Sequence, residues 1–132
     1  MDDRGTVAPA LVILLAAGVA AVGLAVDLGR FAATSRDVAF AADAGAEAGA
    51  AVIDTELAYS GILALDAGPA HAVAVDAALR ARPRPGRRVA VEAGPDRVCV
   101  TVVQEVDTGL LRVFGVAAWT VSSTGCAAPA RG

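Results

Sequence analysis

Residues 1–31 read MDDRGTVAPALVILLAAGVAAVGLAVDLGRF, and the stretch from Thr6 to Val26 carries no charge. Three readings compete for it: a secretory signal to be removed, a permanent membrane anchor, or a shaft serving both a membrane and a polymer. As an α-helix, these 21 residues at 1.5 Å rise span about 32 Å, close to the roughly 30 Å of bilayer hydrocarbon. Ten of them are Val, Leu or Ile. At about −0.3 to −0.6 kcal/mol each near a helix centre, they contribute roughly −3 to −6 kcal/mol toward insertion before Gly and Pro are counted. Pro9 falls in the first turn, where its missing N–H costs little. A cleaved signal would want a basic leader and a shorter apolar segment ending at a small-residue cleavage site. Here two acids and one base precede a long run, which favours a retained span over residues 6–26 behind a leader of residues 1–5. Arg4 lies on one side of the span, and Arg30 and Arg36 lie on the other, so the positive-inside rule does not fix its orientation.

Beyond the run, DLGRFAATSRDVAFAADAGAEAGAAVIDTEL (residues 27–57) continues without a proline. Polar residues recur at Asp27, Arg30, Thr34 and Asp37, at spacings of three, four and three, which is one face of a helix. A second, apolar stripe passes through Leu28, Phe31, Val38, Ala42, Gly45, Gly49 and Val52, with small residues dominating its later half, and small seams let helices approach closely. The spacing predicts a single helix from about Thr6 to Leu57, roughly 75 Å long, apolar at first and amphipathic over residues 27–58.

The rest of the chain is small. Of 132 residues, about a hundred remain outside the apolar run, enough for one domain without a large catalytic cleft. A net charge of −3 and a pI near 5 argue against a nucleic-acid binder. His71 is the only histidine, with no carboxylate or cysteine at ligand spacing beyond Asp76. No nucleophile elbow, phosphate-binding loop, dinucleotide fingerprint or zinc-protease motif is present. The expectation is therefore a non-enzymatic protein without cofactor or metal. Asp43, Glu47 and Asp54 share a helix face that keeps itself wet, pairs with Arg36 of a neighbouring chain, or holds a cation.

Residues 59–87 read as a loosened stretch, then a short second helix opening at Gly68-Pro69 and stopped by Pro83, then the Arg/Pro segment RARPRPGRR. Its arginines, Arg80, Arg82, Arg84, Arg87 and Arg88, suit anionic headgroups, wall polymers or an acidic partner. Without interleaved aromatics, a solvated extended linker is the plainer reading. Over residues 88–132 the period changes to two. RVAVEA and RVCVTVVQEV alternate about the turn Gly94-Pro95-Asp96, with Val98, Val100 and Val102 on one face and Cys99 and Thr101 on the other. DTGLLRVFGV is a short crossing, and AAWTVSSTG supplies a third strand. The fold class is α+β: a long N-terminal helix, a short second helix, and a small three-stranded antiparallel sheet covered by the amphipathic half of the long helix. Cys99 and Cys126 admit two readings, a disulfide in an exported domain or two small buried thiols.

The segment DRGTVAPALVILLAAGVAAVGLAVDLGR followed by AADAGAEAGA resembles the N-terminal region of TadE/TadG-like proteins, the minor pilin-like components of bacterial tight-adherence (Flp-type) pilus systems. The resemblance covers roughly residues 3–52 and is carried by Val26-Asp27-Leu28-Gly29-Arg30 and Ala41-Ala42-Asp43-Ala44 at their mutual spacing. It implies a pilin-like shape, a cytoplasmic N-terminus, an extracytoplasmic C-terminal domain, and other pilin-like subunits and pilus-assembly membrane proteins as partners. It also implies removal of the leader by a prepilin peptidase, with the scissile bond between Gly5 and Thr6. TadE-like members usually carry Glu at the fifth position after that glycine. Ala10 stands there in this chain, which removes a carboxylate able to pair with a neighbouring subunit's N-terminal amine. That departure moves the resemblance toward TadG-like members, which stay in the membrane. The alternatives are a single-span envelope protein whose outer domain binds a ligand or polymer, and a secreted protein cut near Ala25.

Overall fold

A computed structural model describes residues 7–130. Residues 7–50 form one unbroken helix, α1 (Val7–Ala50). Its two halves live in different surroundings. Along residues 7–26 the large side chains project freely, Leu14 being 70% exposed. From Asp27 onward one face is buried, through Thr34, Val38, Ala41, Ala42, Gly45, Ala46, Gly49 and Ala50. A short helix α2 (Thr55–Tyr59), a longer helix α3 (Ala67–Arg80) and strands β1 (Arg88–Ala93), β2 (Val98–Asp107) and β3 (Ala118–Ala127) follow, with a 3₁₀ turn (Leu111–Phe114) between β2 and β3. The strands form an antiparallel sheet in the order β1-β2-β3. The fold is α+β, with the second half of α1 and the length of α3 laid over one face of that sheet.

The long helix ends at Ala50, not at the expected Leu57. The chain turns at Ala51, Ile53 bridges to Leu65, and Asp54 opens a separate helix, its carboxylate accepting hydrogen bonds from the Glu56 and Leu57 N–H groups at 3.0 and 3.1 Å. A short acidic side chain that caps a new turn competes with continuation of the old one. Asp54 therefore leaves the helix face expected for it with Asp43 and Glu47. The connection that follows is fastened down, the Asp54 N–H donating to the Ala64 carbonyl at 2.9 Å and the Leu65 N–H to the Pro95 carbonyl at 2.9 Å.

The sheet's inner face is built from Val98, Val100 and Val102 of β2, all fully buried, and Val121 of β3. The outer face carries the intervening residues. There Cys99 lies directly opposite Cys126 and the two are joined in a disulfide, and the hydroxyls of Thr101 and Thr124 are hydrogen-bonded at 2.8 Å. Helix α1 runs alongside β3 in the same direction. Phe31 meets Trp119, Ala42 backs onto Gly125, and Ala50 borders one shallow depression with Ala127. The β2–β3 loop is thereby placed at the end of the domain nearest the apolar half of α1.

Close approach depends on missing side chains. A Cβ at Gly45 would lie 2.9 Å from both the Ala74 carbonyl oxygen and the Ala78 Cβ, and one at Gly49 would lie 3.0 Å from the Ala74 Cβ. These glycines meet Ala70, Ala74 and Ala78, which recur every fourth residue on α3 and are all fully buried. Where the helix crosses the sheet, Gly125 would place a Cβ 2.9 Å from the Ala42 carbonyl carbon. Gly45→Val should therefore lower stability by roughly 1–3 kcal/mol through overpacking. Gly29→Ala, with nothing within 4 Å of the added carbon, should raise it by roughly 0.5–1 kcal/mol. Thermal unfolding of both variants in detergent, followed by circular dichroism, checks the opposite signs. Cys99→Ser combined with Cys126→Ser opens a 27-residue separation and should cost about 3–4 kcal/mol in the chain-entropy account, measured by denaturant unfolding.

Candidate functional site

Asp27 is the first charged residue after the apolar run, and it is only 4% exposed. Its carboxylate accepts three backbone hydrogen bonds: from the Gly109 N–H at 2.7 Å, the Leu110 N–H at 2.9 Å and the Leu111 N–H at 3.1 Å. The first turn of a helix leaves such N–H groups without partners, and here the cap arrives from another element. One helical turn earlier, Leu110 rests against Gly23, 2.8 Å from where a Cβ would stand. The loop is closed on its far side by Thr108, whose hydroxyl donates to the Val116 carbonyl and whose N–H donates to the Ala117 carbonyl. The Gly109 N–H first, then that of Leu111, hold the Asp27 carboxyl below its ordinary value, against the opposing effect of burial.

A second clasp lies further along α1. The Asp37 carboxylate receives Arg82 Nη1 on one oxygen and Arg84 Nη2 on the other, each at 2.6 Å. The Arg82 guanidinium, then that of Arg84, draws the Asp37 carboxyl down. Arg82 sits just beyond the end of α3 with φ at +50°, a left-handed conformation that favours glycine and costs other residues roughly 1–2 kcal/mol. The side chain that glycine lacks is the one that reaches Asp37, and it also lies 5.3 Å from the centre of the Phe40 ring. Arg87 donates to the Ala81 carbonyl at 2.6 Å, and burial depresses its pKa. Gln104 donates to the Pro85 carbonyl at 3.0 Å. The Arg/Pro segment is thus a strap: residues 82–86 are exposed, as expected of a solvated linker, but they are tied to α1 and β2 rather than free. Its distant ties run to the Asp37 carboxylate and the Gln104 side-chain amide, which no local pattern would have paired with it.

The two stripes read along the helix are distributed in a way that period alone does not give. Asp27, Thr34 and Asp37 of the polar stripe turn inward. Of the apolar stripe, Val38, Ala42, Gly45 and Gly49 are in the core, and Val52, past the helix end, packs against it half-buried. Leu28 is 49% exposed and lies outside the core, and Phe31 is exposed on one side while its ring meets Trp119 edge-on, with centroids 5.4 Å apart. Asp43 and Glu47 are exposed, as is His71 on α3. Among the described residues, no group of three His, Cys, Asp or Glu side chains is placed to hold a metal ion. Gly5 and Thr6 lie outside the described residues. Sequence pattern does not reveal the clasps, because each joins residues 45 to 84 positions apart; the one local hint is an isolated acid at the end of an uncharged run.

No family model, no curated protein and no solved structure matches the chain. Its functional reading rests on its residues and their geometry.

Both clasped carboxyls titrate below the ordinary aspartate value in the folded chain. A lowered folded-state pKa gives stability that is present above the unfolded pKa and lost as pH falls through the folded one. The wild-type midpoint should therefore drop as pH is lowered below the ordinary aspartate value of about 4. A chain with Asp27→Asn and Asp37→Asn should be less stable at neutral pH and show a flatter profile in that acid window. Thermal midpoints across the range read both effects.

Proposed function

We propose that this chain is a membrane-anchored structural subunit, a minor pilin-like component of a tight-adherence (Flp-type) pilus assembly system. The observation that carries this reading is the continuity of α1. An apolar half, long enough to cross a bilayer and with its side chains exposed on all sides, runs without a break into the half that forms the core of the outer domain. Such a subunit needs no chemical step. Residues 7–26 pack in the lipid or against neighbouring transmembrane helices, and the clasps at Asp27 and Asp37 hold the small domain in a fixed pose on the shaft. The disulfide is consistent with an extracytoplasmic domain. Because α3 already occupies the Gly45 and Gly49 seam, contacts to other subunits fall on the apolar half and on the exposed Leu28. Three of the arginines a polymer-binding module would use, Arg82, Arg84 and Arg87, are engaged inside the chain, which favours the structural role.

Leu14→Arg places a charge near the middle of the span at a cost of about 2.5–3.5 kcal/mol. The variant should be lost from alkali-washed membranes, and a variant that remains there like the wild type overturns the anchor. Leader processing is read separately, by intact mass of protein from cells with and without the prepilin peptidase. Loss of residues 1–5 only when the peptidase is present supports the processed form, whereas a chain beginning at Met1 in both removes it.

A further inference from the structure

The 3₁₀ turn between β2 and β3 carries two large apolar side chains with nothing over them: Val113 is 79% exposed and Phe114 is 72% exposed. In an aqueous setting this is an uncovered patch on a firmly held loop. Three hydrogen bonds to Asp27 fix one side of the turn. The Thr108 hydroxyl closes the other. Gly115, with φ at +88°, caps the turn in the left-handed conformation. The patch is therefore held out by the fold.

Its height along α1 identifies its surroundings. Leu110 contacts Gly23, three residues before the uncharged run ends at Val26; at 1.5 Å per residue that is about 4.5 Å inside the apolar segment. If residues 6–26 cross a bilayer, the bottom of this loop lies at the boundary between headgroups and acyl chains. We propose that the Leu111–Phe114 turn is a second membrane contact, with Val113 and Phe114 seated in the outer leaflet of the same bilayer that α1 crosses. Amphipathic elements of this kind bury an apolar face roughly 5–10 Å into that boundary. Arg112 lies between the apolar residues and is exposed, and its stem can carry the guanidinium up to the phosphate level. Asp27 thereby gains a role beyond capping: at the level where the helix leaves lipid, it ties down the loop that rests on the surface, so the domain is held at two points and its tilt is restrained. The inference rests on the membrane-span reading.

Tryptophan placement separates the two. Trp119 is the only tryptophan, so in a Trp119→Phe background a single reporter is introduced by Phe114→Trp, Leu14→Trp or Tyr59→Trp. The full chain is reconstituted in phosphatidylcholine vesicles brominated either high or deep on the acyl chains. Tyr59 is 94% exposed and lies beyond the far end of α1, whose 24 residues from Asp27 to Ala50 extend about 35 Å. The Phe114→Trp reporter should be quenched more by the high than by the deep bromines, as expected of a side chain seated roughly 5–10 Å into the boundary, while Leu14→Trp is quenched most by the deep bromines and Tyr59→Trp by neither. Quenching at Leu14→Trp without quenching at Phe114→Trp overturns the loop contact and leaves the span standing. Equal quenching at Phe114→Trp and Tyr59→Trp also overturns it, because the domain would then lie flat on the surface. No quenching at Leu14→Trp removes the span and the loop contact together.

Discussion

The Asp27 carboxylate occupies the point where the uncharged half of α1 gives way to the packed half, and it accepts hydrogen bonds there from three backbone N–H groups of the β2–β3 loop. A carboxylate removed from water must find donors, and a short helical turn must find acceptors for its first N–H groups. Each need answers the other. Because the loop is the hinge between β2 and β3, fixing it fixes the end of the sheet against the helix. The pair formed by Asp37 with Arg82 and Arg84 repeats the device further up, where it secures the segment between α3 and β1. With both in place, the domain has one pose on the shaft.

Between those ties the packing is unusually lean. The largest fully buried side chains are valines, Val38, Val98, Val100 and Val102. Much of the remaining contact surface is glycine and alanine, with Gly45, Gly49 and Gly125 where backbones cross most closely. A core of small residues gains less from burial per residue than one of Leu and Phe, and a domain of this size has little surplus. The disulfide across β2 and β3 and the buried carboxylate clasps compensate, the first by restricting the unfolded chain and the second by satisfying charge where the core cannot supply apolar area.

On the proposed reading, the chain is a part that is held in place by its packing. Tight approach of α1 to α3 and to the sheet leaves the apolar half of the helix free for lipid or neighbouring helices, and the outer sheet face polar and stapled. Continuity of one helix through both settings means that a force or displacement applied to the span reaches the domain without passing through a flexible joint. That is the physical property a membrane-tethered assembly subunit requires.

The chain's local pattern was enough for the class of the fold. An uncharged stretch of helical length, a following 3.6-residue period, and the switch to alternation at Val98, Val100 and Val102 each report what a segment's own residues prefer to face, and those preferences hold wherever the segment ends up. The end of α1 at Ala50 was not legible, because the apolar stripe continues to Val52 and Asp54 marks only the start of the next short helix. Tertiary structure decided the rest: that Asp27 and Asp37 turn inward while Leu28 stays out, that the exposed arginine strap is tied to Asp37, and that Cys99 lies opposite Cys126. Those outcomes depend on which groups meet after chain closures of 27 to 84 residues. A charge has no periodicity that names its partner, so only the assembled fold could place them.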